Sequence, residues 1–259
     1  MSTREQIVHN LRATLHTFGS LLDGLEAGQW QVQSLCPAWS VQGVAVHTTT
    51  IESALLGWRP GGDHPFAAMA DIAAELSSLS PAALTARFHQ VVVARLREIE
   101  TMTDDEFFAP SFTPVGQGTY ARFMEVRVFD IWVHERDIRV PLGLHGDDSG
   151  PAAEMSLDEV EGSIGYIAGK KIGVPDGMSI AFHVNGPVHR DIYVKVDGRA
   201  ARVDHLAEPD VTVTTDSLTF MLLACGRIDP EQAVADGRIS WMGDTDLGAR
   251  AARHLAFTM

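Results

Sequence analysis

Apolar residues near the start of the chain recur at steps of three and four: Ile7, Leu11, Leu15, Phe18, Leu22 and Leu25. That is the period of a helix with one buried face, and it predicts a first helix over 3–26. Gly28, Pro37 and Trp39 mark a loop, after which Ser40 stands where an N-cap belongs. The next run carries a second stripe of Val44, Ile51, Leu55 and Trp58, and His47 falls on that stripe. Pro60, Gly61, Gly62 and Pro65 interrupt the pattern and predict a surface connection over 59–65. Helical spacing returns over 66–79 and, with Pro81 as a first-turn proline, over 81–102. A loop is expected over 104–118. A strongly apolar helix follows over 119–140, ended by Pro141 and Gly143, and one more over 153–171.

Beyond Gly173 the period changes from helical to alternating. The segments 178–184, 191–196 and 211–214 are β-branched and bounded by Gly, Pro, Asn or Asp, which predicts strands, and Asp197-Gly198 is a hairpin signal. Helical stretches over 217–225 and 246–255 flank a further short strand over 238–241. The expected architecture is α+β: a helical domain over 1–173 and a small mixed domain over 174–259. No internal repeat or low-complexity segment is visible.

Composition narrows the class. With 259 residues, 45% hydrophobic and 21% charged, the chain has the balance of a globular protein and room for two domains. A net charge of −14 repels phosphate backbones and anionic head groups, so neither nucleic acid nor a membrane is an expected partner. An anionic substrate would need local positive charge from a metal or an arginine. The N-terminal residues form an amphipathic stretch without a signal-peptide core, and no apolar run approaches the roughly 18 residues of a membrane span, so a cytoplasmic protein is expected. Cys36 and Cys225 stand far apart in no ligand spacing and read as packing residues.

The chemistry concentrates in 125–139. Asp130 and His134 differ by about 40° around a helix and lie one turn apart, so both can reach one ion, and Asp137 continues that face. The rest of the helix is apolar nearly all round, as in a helix at the centre of a bundle. A carboxylate and an imidazole are costly to bury there unless paired or coordinated to a metal. The alternative is a solvated polar stripe of Arg127, Asp130, His134 and Asp137 joined by ion pairs. His47, on the apolar stripe of another helix, favours the metal by supplying a third ligand, although a lone histidine there also reads as a hydrogen-bonded core residue. Two nitrogens and one oxygen leave coordination positions open, which suits catalytic zinc, with iron or nickel as alternatives. An ion in such a site would hold a bound thiol as thiolate at neutral pH.

The string Cys36-Pro37-Ala38-Trp39-Ser40-Val41, followed by His47, resembles the tryptophan-containing turn and first histidine ligand of the DinB-like, mycothiol-dependent maleylpyruvate isomerase family. Asp130-Ile131-Trp132-Val133-His134-Glu135-Arg136-Asp137-Ile138-Arg139 resembles its second signature, with Asp130 where glutamate is common. Segments from Asp210 onward, including Cys225-Gly226-Arg227, Gly237, Met242-Gly243-Asp244 and Phe257-Thr258-Met259, are similar to the family's second domain. The resemblance implies a DinB-like four-helix bundle that holds the metal through His47, Asp130 and His134, and a sterol-carrier-like second domain. It implies mycothiol as the thiol cosubstrate, and an arginine of the second domain, Arg227 or Arg238, near the active site to hold an anionic group. The remaining histidines, His64 among them, fall in no ligand spacing.

The function expected on these grounds is metal-dependent thiol transfer to, or thiol-assisted isomerisation of, a small electrophilic substrate. Two readings of other kinds stand beside it: a binding protein for an apolar small molecule with a structural metal, and a metal-dependent hydrolase. Three protein ligands are too few for the usual closed structural zinc site, which weighs against the first.

Overall fold

The computed structural model describes residues 2–62 and 65–258, and two compact units divide it at Gly146/Asp147. His64 lies outside the described residues, as do Met1, Asp63 and Met259.

In the first unit, α1 (Arg4–Gly24) opens on a capping box, the Thr3 hydroxyl accepting from the Gln6 amide and the Gln6 side chain accepting from the Thr3 amide. Its stripe Ile7, Leu11, Leu15, Phe18 and Leu22 is buried, as expected. The next helix, α2 (Val41–Leu55), is capped by Ser40, whose hydroxyl accepts from the Gly43 amide. It ends at Leu55, three residues before Trp58; Gly57 follows with φ +76°, and Trp58 stacks on Tyr120 from outside the helix. After a 3₁₀ turn at Pro65–Ala68 come α3 (Met69–Ser77) and α4 (Pro81–Thr101), the latter capped by Ser80 with Pro81 in its first turn.

The expected loop over 104–118 is instead ordered: a helical turn, α5 (Asp104–Phe107), and an antiparallel hairpin, β1 (Pro110–Thr113) with β2 (Gly116–Thr119). Strands of four residues are too short to register as alternation, while the turn is a Thr103/Glu106 capping box that spacing alone could have revealed. The unit closes with α6 (Tyr120–Arg139). Both α1 and α2 pack against α4 and α6, so the four long helices share one apolar core, in which Phe18 and Phe88 meet at 5.4 Å between ring centres.

The second unit begins with α7 (Gly150–Gly162), followed by a short turn, α8 (Ile164–Tyr166), and a π-helical segment, Ile167–Ile172. The expected domain boundary at 173/174 therefore falls inside this unit. Periodicity showed that these residues bury one face but could not show which layer covers it; they pack beside α9 and β5 of the sheet unit. The sheet has the order β5-β4-β3-β6-β7, from β3 (Ser179–Asn185), β4 (Arg190–Asp197), β5 (Arg199–Val203), β6 (Val211–Asp216) and β7 (Ile239–Gly243). All pairs are antiparallel except β3 with β6, where Ile180 lies opposite Val211 and Phe182 opposite Val213. The hairpin at Asp197-Gly198 forms as expected, with Gly198 at φ +66°. Helices α9 (Ser217–Ala224), α10 (Pro230–Ala235) and α11 (Thr245–Arg253) complete the unit; α10 was not anticipated. Among the described residues no helix is long and apolar enough to cross a membrane.

Candidate metal centre

Two helices of the first unit carry the donors. His47 is on the second turn of α2, and Asp130 and His134 are one turn apart on α6. One ligand atom from each of these three residues lies within 4.8 Å of the others. The two imidazole rings are 4.8 Å apart between centres at 71°, so they approach edge to face around a common point. A carboxylate oxygen of Asp130 faces Nε2 of His134 at 3.6 Å.

The polar face of α6 is not a solvated stripe. Arg127, His134 and Asp137 are at most 5% exposed, and Asp130 alone keeps part of its side chain, 29%, in contact with solvent. His47 is likewise half-buried. The donor cluster is thus walled by protein on most sides and open at the Asp130 and His47 edge, the arrangement that leaves room for a further ligand.

The protonation pattern suits cation binding. Burial pushes His47 down to about 4, with His134 and Arg127 acting the same way and Asp130 and Asp137 opposing, so its ring is a neutral donor at pH 7. Burial works to raise Asp130, but Arg127, His134 and His47 overcome it and hold the carboxyl below its ordinary range. Nδ1 of His134 lies 2.8 Å from Asp137. That carboxylate fixes the proton on Nδ1 and turns the Nε2 lone pair toward His47 and Asp130, as a metal-ligating histidine requires. Cys36, His134 and Asp137 also stand close enough to share an ion, but Nδ1 and the Asp137 carboxylate already engage each other. We read them as support for the first cluster. The donor set fits one divalent ion.

The loop before α2 supplies the wall. The Trp39 ring lies 4.5 Å from His47 at 30° and 6.0 Å from His134. Its turn is tied down by hydrogen bonds from the Ser34 amide and hydroxyl to the Trp39 carbonyl. The Leu35 amide donates to the Asp137 carbonyl, and the Cys36 thiol lies 3.0 Å from an Asp137 carboxylate oxygen. Cys36, expected as a packing residue, is buried but also braces the carboxylate that orients His134.

Sequence reasoning missed Glu52, Arg95, Glu98 and Tyr120. Glu52 accepts from Nε and Nη2 of Arg127 at 2.9 and 2.8 Å, while Arg127 also binds Asp130 through Nη1. Arg95 lies 3.5 Å from the other Glu52 oxygen and donates to Glu98 and to the Tyr120 hydroxyl. One signal was available: Arg95 sits within the helical stripe Phe88, Val91, Val92, Leu96 and Ile99, where an arginine needs a buried anion. The two arginines singled out in the second unit lie beside its helices. Arg227 follows α9 and donates to the Cys225 carbonyl at 2.8 Å, and Arg238 precedes β7 with Asp236 at 3.5 Å.

Comparison with known proteins gives two family matches. Residues 11–139 match the mycothiol maleylpyruvate isomerase N-terminal domain, and residues 154–250 match the C-terminal domain of the same family. Among solved structures, a mycothiol-dependent maleylpyruvate isomerase aligns with a TM-score of 0.63 at 18% identity, covering 88% of this chain and 90% of that one. A histidine-to-alanine mutant of such an isomerase aligns with a TM-score of 0.61 at 19% identity over the same shares. Sterol Carrier Protein 2 Like 2 from Aedes aegypti covers 39% of this chain and 96% of its own, at 21% identity and a TM-score of 0.32. No curated protein matches the chain.

Proposed function

This chain belongs to the mycothiol maleylpyruvate isomerase family, and we propose that it is a metal-dependent enzyme in which mycothiol attacks a small electrophilic substrate, by transfer or by addition and elimination. The observation that carries the reading is the convergence of His47, Asp130 and His134, from two helices, on one partly open point. A divalent ion there, zinc by the donor set, would supply Lewis acidity and bring a thiol in the open position to its nucleophilic form at neutral pH.

The chain's own residues do the rest. His47 offers an uncharged nitrogen because burial disfavours its proton. Asp137 keeps the His134 ring in the ligating tautomer. Trp39 covers one side of the cluster. An anionic substrate approaching a chain of net charge −14 needs a local cation, and Arg227 and Arg238 are the two candidates for that role. Steady-state kinetics of Arg227→Lys and Arg238→Lys separate them: the arginine that holds the anion raises KM when replaced.

The test of the centre is elemental analysis. The full chain is expected to carry one equivalent of metal, and His134→Ala well below one. A cobalt-substituted sample should change its visible absorption when thiol is added; turnover of an ester without any thiol would point to water activation instead, and full metal retention in His134→Ala would end the assignment.

A further inference from the structure

The buried charges next to the centre have no part in the reading above, yet they join the same two helices. Glu52 lies five residues beyond His47 on α2, and Arg127 lies three residues before Asp130 on α6. Their side chains are 1% and 3% exposed and meet through two hydrogen bonds, Nε at 2.9 Å and Nη2 at 2.8 Å, both to Oε1 of Glu52. The third guanidinium nitrogen, Nη1, donates to Oδ2 of Asp130. Oδ1 is the Asp130 oxygen that faces His134. On the far side, Arg95 braces Oε2 of Glu52 and is itself held by Tyr120 and Glu98.

We infer that Arg127 and Glu52 are positioning residues for the metal centre: Arg127 occupies one Asp130 oxygen, presenting the other as a single-oxygen ligand, and its pairing with Glu52 sets the spacing of α2 and α6 that brings His47 to the ion. The planar fork of arginine is what the geometry uses, since three separate nitrogens reach two carboxylates at once; the donors of lysine all radiate from one nitrogen and cannot reproduce that spread. The arrangement also suits Asp130, whose short side chain gains a fixed direction from its partner. This inference rests on the metal-centre reading, and its test separates the two.

Zinc affinity is measured on the purified full chain by competition with a chromophoric chelator, beside thermal melting of the metal-free protein. Arg127→Lys is expected to weaken zinc binding about 10–100-fold, the loss typical when a partner behind a ligand is removed. In the cobalt form its visible absorption should weaken as the released carboxylate chelates through both oxygens. The paired variant Glu52→Met with Arg127→Met removes both charges together and leaves Arg95 held by Glu98 and Tyr120, so the fold should persist; it too should lose affinity. Glu52→Gln, which keeps shape and one acceptor, should lose less. If the wild type binds zinc and the folded variants bind it equally well with the same cobalt spectrum, this inference falls while the centre stands. If the wild type takes up no zinc, the centre and the inference fall together.

Discussion

At the residue scale, burial leaves the His47 ring uncharged and so able to donate to a cation. His47 sits half-buried beside Asp130, Asp137, His134 and Arg127, and burial outweighs the two carboxylates in setting its proton affinity. Its folded value, about 4, lies below the value of about 6.5 it has in an unfolded chain. A group depressed in this way contributes stability that is present above pH 6.5 and lost as pH falls toward 4, because the unfolded chain takes up a proton the folded one refuses. Metal-free protein should therefore show a urea midpoint that drops across that window, and His47→Gln should drop less. Equal slopes for the two proteins would contradict the burial argument. His47, Asp130 and His134 could be read from sequence because helical spacing and an apolar background are local properties. Glu52, Arg95 and Tyr120 could not be joined to them, since the network depends on which faces of α2, α4 and α6 meet.

At the scale of elements, caps and periods carried most of the fold. Ser40 and Pro81 mark helix starts that the structure reproduces, and the change of period after Gly173 marks the sheet. Short elements escaped because four to six residues hold too little pattern: β1, β2, α5 and α10 all fall in this class. The wall of the centre is a further case, because it depends on a contact between α2 and the loop before it rather than on periodicity. A Cβ on Gly43 would stand 2.9 Å from Cβ and 3.3 Å from Cγ of Trp39, closer than packed carbons tolerate. Glycine at that position is what lets the indole reach His47, tilted by 30°. Gly43→Ala should cost about 1–3 kcal/mol as overpacking and displace Trp39, which intrinsic fluorescence can follow. An unchanged emission spectrum and an unchanged melting temperature would mean that the indole does not depend on this contact.

At the scale of the whole molecule, the sequence expectation and the structure part over one helix. Placing the boundary at 173 assigned α7 to the helical domain because it is a helix; its packing beside α9 assigns it to the sheet unit instead. The two family matches, ending at 139 and beginning at 154, leave the same gap. The segment 141–149 between α6 and α7 is largely exposed, and its backbone is held by short-range bonds such as Gly143 to Val140 and Ser149 to Asp147. The turn over 173–178, although also exposed in part, is stitched into the sheet unit: Val174 donates to Ala168, Gly177 to Val196, and Asp176 accepts from Gly198. Proteases act where a segment opens locally at little cost, which depends on such bonds and not on exposure alone. Limited proteolysis of the intact chain should therefore cut first within 141–149, giving two fragments whose masses place α7 with the C-terminal piece. A first cut at 173–178, leaving α7 on the N-terminal fragment, would restore the boundary expected from periodicity and overturn the assignment of this helix.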